Sequence, residues 1–470
     1  MYIYAIGDIH GDIMPLIVCL RDCCKVITKK KNFIFNQNEI DKDLVEQLSK
    51  EWDDKSYAED LNYEWIGEDS NVVFCGDLLD NVRGDIFKKP QEFPFEEARI
   101  FMFINALNKQ AMENKGRIYK VLGNHDMYNL NGKTKTRYNT YISSYAKKYP
   151  GYFNGADGRL DYFCQGKPGS KLIGEDNAYL FLMIKDFIFV HGGISSTLLT
   201  AKNLSNLNAN LMEFIKGKNN NFDLESETID NQITFTNDGE DGLVQDRFFG
   251  FKNGKDEQEL CSVLYNRFKR ICSDVKKANL SNKDYNNFFI SENHHCDPDT
   301  MKLVIGHCVQ NKATNDKDNI FESSFSKITS SYSKDAFVFA EEFSAPVYKG
   351  PPSLEKDKAI YGITVSCGDH DKNGNIDFNT PSIYRIDVGM SRGFNTKKYS
   401  DEYAYSRTPQ VLKIEYINDK PRMSIIKSTL KNTLIHIVDL DKNPYEKKYN
   451  KYKSKYYLLK KIMDNIMKST

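Results

Sequence analysis

The chain has 470 residues, with 65 basic and 65 acidic side chains and a formal net charge of zero. That length calls for two domains or one heavily inserted domain, and the balanced charge excludes a nucleic-acid binder that works by bulk electrostatics. The longest apolar run, residues 178–190, is broken by Lys185-Asp186 and is too short to span a bilayer.

In chain order, Met1-Tyr2-Ile3-Tyr4 leads straight toward Gly7-Asp8, so no signal peptide is expected. Residues 2–6 read as a strand, and Pro15 can open a helix running to about Val26. Residues 29–63 are charged and weakly patterned, with a helix expected at 43–52. A second strand at 71–75 ends in Gly76-Asp77-Leu78-Leu79-Asp80. Residues 96–114 carry apolar side chains at helical spacing (Ala98, Phe101, Met102, Ile104, Leu107, Ala111). The strand at 118–122 then stops at Gly123 and offers Asn124, His125 and Asp126. Lys185-Asp186 turns a hairpin whose second strand, 187–190, ends in His191-Gly192-Gly193. A polar stretch at about 200–242 reads as an insertion with a helix near 207–216. Residues 303–305 form a further strand ending in Gly306-His307, and two more strands are expected at 360–365 and 382–388.

This order predicts an α/β fold, with two mixed sheets flanked by helices. One domain is expected over 1–410, inserted near 28–66, 200–242 and 311–358. Residues 411–470 are expected to form an extension with a strand-like piece and a basic, tyrosine-rich helix. The ten cysteines are scattered without a CxxC pair, which signals neither a zinc ribbon nor a disulfide framework. Cys75 and Cys308 read as buried thiols, and a reducing intracellular compartment, the cytoplasm for instance, is the plain expectation.

Five strands in succession end in a glycine or apolar residue and then a carboxylate, imidazole or carboxamide: Asp8/His10, Asp77, Asn124, His191 and His307. Ligands gather outside the carboxyl ends of strands in α/β sheets. Mixed imidazole and carboxylate donors suit Mn, Fe or Zn better than Mg or Ca. One ion would take Asp8 and His10, the other Asn124, His191 and His307, with Asp77 bridging both. Two such ions roughly 3.5–4 Å apart clamp a phosphate and lower the pKa of a shared water.

At these residues the sequence resembles the calcineurin-like metallophosphoesterases. The motifs are Gly7-Asp8-Ile9-His10-Gly11, Gly76-Asp77-Leu78-Leu79-Asp80, Gly123-Asn124-His125-Asp126, His191-Gly192-Gly193 and Gly306-His307. They stand in the family's order and cover most of residues 1 to about 395. Residues 124–129, Gln245-Asp246-Arg247 and 385–391 are similar to the bacterial-like Shewanella-like phosphoprotein phosphatases. The resemblance implies a β-sandwich with outer helices, the family's four-layer fold, and a binuclear site at one edge. Asp8, His10, Asp77, Asn124, His191 and His307 would be its metal ligands. The implied reaction is attack on phosphorus by a metal-bound hydroxide, with His125 as general acid and Asp80 orienting it. An imidazole with a carboxylate partner can hold and donate a proton near neutral pH. Arg247, Arg83 and Asn124 would bind phosphate oxygens, the arginines through a planar fork.

Three departures stand out. Asn81-Val82 separate Asp80 from Arg83, Met127-Tyr128 replace an arginine found in eukaryotic Ser/Thr phosphatases, and Gly306-His307-Cys308-Val309 lacks a second histidine common in phosphodiesterases. The last favours monoesters. The expected substrate is a phosphorylated protein (Ser/Thr or Tyr) or a small phosphoester. The alternatives are a dinucleoside polyphosphate hydrolase and a metal-binding or inert scaffold that binds a partner through its insertions. Residues 369–380 match the front of a calcium loop but place Thr380 where glutamate is needed, so a polar turn is expected. His294-His295-Cys296 reads as ordinary loop, and the basic tail 447–468 as a packed helix with a solvated face.

Overall fold

A computed structural model describes residues 1–11, 13–29, 63–80, 96–132, 160, 162–176, 178–223, 227–235, 242–246, 248–250, 257–277, 289–290, 296–307, 363–367, 380–388, 390 and 409–427. The first half contains β1 (Tyr2–Ile6), α1 (Ile13–Val18), β2 (Ile27–Lys29), β3 (Tyr63–Trp65), β4 (Asn71–Cys75), α2 (Glu96–Glu113), β5 (Arg117–Val121) and α3 (Asn124–Asn131). It continues with α4 (Pro168–Gly174), β6 (Leu182–Ile184), β7 (Phe187–Val190), α5 (Ala201–Ile215), α6 (Ile229–Thr234) and α7 (Glu257–Lys277). The chain closes with β8 (Phe289–Ile290), β9 (Lys302–Ile305), β10 (Thr364–Ser366), β11 (Ser382–Arg385), β12 (Gln410–Ile417) and β13 (Lys420–Lys427).

These strands build two mixed sheets, in the orders β13-β12-β1-β4-β5 and β10-β11-β9-β7-β6-β8, while β2 and β3 pair as a small ribbon. In the first sheet β1, β4 and β5 are mutually parallel. In the second, β7, β9 and β11 are mutually parallel. Parallel neighbours bring their carboxyl ends to one edge, so topology delivers three polar strand ends to an edge of the first sheet and two to an edge of the second. The sequence reason is plain in β4: four of its five residues are buried, as expected of a strand covered on both faces. Phe74, Val121, Phe189, Val190 and Val304 are fully buried in one apolar core that takes side chains from both sheets. Burying Phe74 alone contributes about 2–3 kcal/mol.

Helix α2 covers this core with Ile100, Ile104, Leu107 and Ala111, spaced four, seven and eleven residues along one face. It ends where Lys115 turns left-handed (φ 63°) and the Gly116 amide returns to the Ala111 carbonyl at 2.8 Å. The helix expected from Pro15 ends as α-helix at Val18 and continues as a π turn over Cys19–Cys23. Helix α5 starts earlier than expected because the Thr200 hydroxyl caps it, accepting from the Asn203 amide. β12 pairs antiparallel with β1, so the hairpin β12–β13 completes the first sheet where a separate extension was expected to begin. The helix expected at 43–52, the calcium-like loop up to residue 379, His294-His295, Cys308, the insertion 311–358 and the tail 447–468 lie outside the described residues. Among the described residues no helix is long and apolar enough to cross a membrane.

The cysteines correct the sequence expectation. Cys261 bonds Cys367 and Cys272 bonds Cys296. Cys261 and Cys272 lie eleven residues, about three turns, apart on one face of α7. Their partners flank the second sheet: Cys367 directly follows β10 and Cys296 precedes β9. Spacing along the chain hid these pairs, because each closes only once α7 is docked. Such bonds form and persist in oxidising compartments, so a reducing compartment loses its basis here. Cys75 is a buried free thiol, its pKa pushed well up by burial. With loop separations of 106 and 24 residues, opening the bonds is expected to cost ~4–5 and ~3 kcal/mol. Denaturant unfolding with and without reductant checks this; coincident midpoints would contradict it.

Candidate metal centre

The loop after β1 is fastened to the loop after β4 by backbone bonds. The Ile9 and His10 amides both donate to the Asp77 carbonyl (3.2 and 2.8 Å), and the Gly11 amide donates to the Leu78 carbonyl at 2.8 Å. Asp8 and His10 are thereby held beside Asp77, all three buried. The loop after β5 joins through α3. The His125 amide donates to Asp77 Oδ1 at 2.9 Å. The Asp126 carboxylate accepts from the Gly123, Leu78 and Leu79 amides (2.9, 3.1 and 3.0 Å). Gly123 allows this approach, since a Cβ there would stand 2.1 Å from Asp77 Oδ1. From the second sheet, His191 Nδ1 donates to the Cys75 carbonyl at 2.8 Å, and the His307 amide donates to Asp8 Oδ1 at 3.3 Å.

His10 (φ 45°), Asp77 (47°), Asp80 (68°) and His307 (63°) all hold left-handed backbone. That conformation costs a non-glycine residue about 1–3 kcal/mol and clusters at functional sites.

Two groups of ligand atoms result, each drawn together within 4.8 Å: His10, Asp77 and His125, and Asp77, His191 and His307. Asp77 belongs to both. His10 Nε2 is 3.7 Å from Asp8 Oδ2 and 3.7 Å from Asp77 Oδ2. His191 Nε2 is 3.3 Å from Asp77 Oδ1 and 3.1 Å from Asn124 Oδ1. The His191 and His307 rings meet at 4.9 Å between centroids. The site thus gathers Asp8, His10, Asp77, Asp80, Asn124, His125, His191 and His307. Arg83 and Arg247 lie outside the described residues.

The donor set fits a cation. His10 Nδ1 lies 3.3 Å from the Leu79 carbonyl, and His191 Nδ1 faces the Cys75 carbonyl. A carbonyl only accepts, so Nδ1 carries the hydrogen in both rings, and a neutral ring turns the Nε2 lone pair inward. Those lone pairs face carboxylate and carboxamide oxygens across 3.1–3.7 Å. Such contacts need positive charge between the atoms, which either a proton on Nε2 or a bound cation supplies. The pKa shifts show ring protons in that role. Burial would push the Asp77 carboxyl up, but the His191, His125 and His10 imidazoles outweigh it and hold it well below the usual carboxylate range. Burial would push His191 down, yet Asp77 raises it. Asp126 is pushed up to about 7, first by burial and then by Asp77.

His125 is placed differently from the other rings. Its Nδ1 is 2.7 Å from Asp80 Oδ2, while Nε2 turns toward the shared space, 3.9 Å from Asp77 Oδ2. Tyr128, one turn along α3, stands edge-on to His125 (6.3 Å) and stacks on Phe235 (6.2 Å, 16°). The Gln245 amide donates to the Tyr128 hydroxyl. Sequence reasoning gave no role to Asp126, Tyr128, Asn129 or Phe235. Buried polar residues at the third and sixth positions of a short helix were the available signal for Asp126 and Asn129.

Comparison with known proteins agrees with this geometry. The calcineurin-like phosphoesterase family matches residues 1–257. Shewanella-like protein phosphatase 1 of Plasmodium berghei is 26% identical over 267 residues, 56% of this chain and 56% of that protein. The uncharacterized protein C1840.07c of Schizosaccharomyces pombe is 25% identical over 193 residues, 41% of this chain and 44% of that protein. The chain therefore spans about half the length of the curated relatives it matches. Among solved structures, the cold-active protein-tyrosine phosphatase of a psychrophile Shewanella species aligns with 91% of this chain and 80% of its own, at 14% identity and a TM-score of 0.41. A likeness of that size bears on neither substrate nor mechanism.

Proposed function

Because the chain belongs to the calcineurin-like phosphoesterase family, we propose that it is a metal-dependent phosphatase acting on phosphomonoesters, with phosphorylated serine, threonine or tyrosine side chains of proteins as its substrates. The observation that carries the reading is the convergence of five strand ends, from two sheets, on Asp77. The family's centre is binuclear, and the residues present suit it. Asp8, His10 and Asp77 would hold one ion, and Asp77, Asn124, His191 and His307 the other. Manganese, iron or zinc fits this mixture of nitrogen and oxygen donors. When bound, such ions polarise a phosphoryl oxygen and lower the pKa of a water.

The chain's own groups do the rest. Asp77 keeps the two halves of the site in register, tied to the His125 amide at 2.9 Å. Asp80 accepts from His125 Nδ1 and fixes the ring, so that Nε2 faces the site and hands its proton to the departing alcohol or phenol oxygen. Asn124, Arg83 and Arg247 would steady the phosphoryl oxygens.

The phosphoprotein assignment draws on the name of the Plasmodium relative and on the missing second histidine after Gly306-His307. Assaying phosphopeptides beside diadenosine tetraphosphate tests it. Phosphopeptides are expected to be hydrolysed with kcat/KM at least ~100-fold higher, a gap of about 2.7 kcal/mol in transition-state binding. Preference for the dinucleotide would assign the chain to polyphosphate hydrolysis instead.

A further inference from the structure

Resting on His125 as the acid that protonates the leaving oxygen, we propose that Asn129 is a positioning residue for the Asp80–His125 pair. Asn129 is 1% exposed and lies four residues after His125 on α3, hence directly below it on the same helix face. Its Nδ2 donates to Asp80 Oδ1 at 3.1 Å and to the His125 carbonyl at 2.9 Å. Both neighbours accept, so the network itself settles which end of the amide faces them. Asp80 Oδ2 meanwhile accepts from His125 Nδ1 at 2.7 Å. The carboxylate is therefore gripped through one oxygen by Asn129 and through the other by His125, with both donors on one rigid helix. Asp80 sits in a loop, on left-handed backbone (φ 68°), and needs such a grip to keep its carboxylate plane aligned with the ring.

Residue chemistry explains why an amide stands there. A lysine or arginine would pair with Asp80 and weaken its hold on the imidazole. A hydroxyl at this position is too short to reach Asp80 and would return to the carbonyl four residues back. The amide donates without titrating, and so leaves the carboxylate's charge to His125.

The test uses the dependence of rate on the leaving group. Loss of the acid hurts alkyl phosphates, whose leaving oxygen needs a proton, far more than p-nitrophenyl phosphate, whose leaving phenolate is already stable. Asn129→Ser keeps a donor for the His125 carbonyl but loses Asp80, which separates positioning from helix support. It is expected to slow a phosphoserine peptide on the order of ten- to a hundredfold, with p-nitrophenyl phosphate slowed less than about threefold. His125→Gln, run beside it, should show the same pattern more strongly. Asn129→Asp, of the same shape, reverses the contact and should behave likewise if the serine variant does not fold. Equal slowing of both substrates by the Asn129 variants, while His125→Gln still discriminates, would overturn the role of Asn129 and leave the acid assignment standing. Should His125→Gln also fail to discriminate, the acid assignment falls and this proposal with it.

Discussion

Asp77→Asn is expected to lower phosphatase turnover by roughly a thousandfold or more, while leaving the fold intact. The side chain keeps its shape, so the bond from the His125 amide can persist through the carboxamide oxygen. What disappears is the one negative charge common to both groups of ligand atoms. Three imidazoles hold the Asp77 carboxyl well below its usual range against the cost of burial, so it stays ionised, and that negative charge is what would bind cations there. Removing a charged ligand common to two ions costs both the clamp and the activation of water, of the size usual for loss of a preorganised electrostatic group. Without metal two effects oppose each other. A carboxyl held low in the folded chain stabilises it when ionised, so neutralising Asp77 costs stability near neutral pH. Asp77 raises the buried Asp126 carboxyl, which sits at about 7, and neutralising Asp77 relieves that repulsion. The expected signature is thus a protein that still unfolds cooperatively without metal, yet gains little from added manganese. Thermal unfolding with and without the ion reads this directly. Equal gains in the two proteins would count against a shared ligand.

His125→Ala is expected to lower kcat by about 10²–10⁴-fold, the range usual for loss of a positioned acid, with KM little changed. The imidazole is tied to Asp80 at 2.7 Å and turned toward the common space, where its Nε2 stands 3.9 Å from Asp77 Oδ2. An acid that acts only in the transition state lowers kcat and kcat/KM together when removed. p-Nitrophenyl phosphate should sit at the lower end of the range and a phosphoserine peptide at the upper end. A rise in KM with kcat unchanged would place His125 in substrate binding and not in proton transfer.

Much of this was visible in the residues alone, for a physical reason. Strands β1 and β4 were readable to the residue because both are short apolar runs ended by glycine and a carboxylate. Parallel strands must present those carboxylates at one edge. Within each sheet the gathering of Asp8, His10, Asp77 and Asn124, and of His191 and His307, follows from that rule. Other parts needed the folded chain. Helix α7 carries Leu260, Leu264, Phe268 and Ile271 at helical spacing, a pattern present in the sequence but passed over between polar segments. The two disulfides could not be read from spacing, since their halves lie 106 and 24 residues apart and meet only through packing. The pairing of β12 with β1 joins residues about 410 apart along the chain, and non-local pairing of that kind leaves no local signature. Asn129 was hidden for a subtler reason. Its value lies in a carboxylate 49 residues earlier in the chain, and a lone asparagine on a helix ordinarily reads as a solvated residue.

The most direct test of the convergence on Asp77 is elemental analysis of the purified wild-type chain beside Asp77→Asn. About two first-row transition-metal ions per wild-type chain are expected, with a clear loss of metal in the variant. A wild-type chain that takes up no metal after incubation with manganese, iron or zinc, or a variant that holds as much as wild type, would contradict a metal centre built on Asp77.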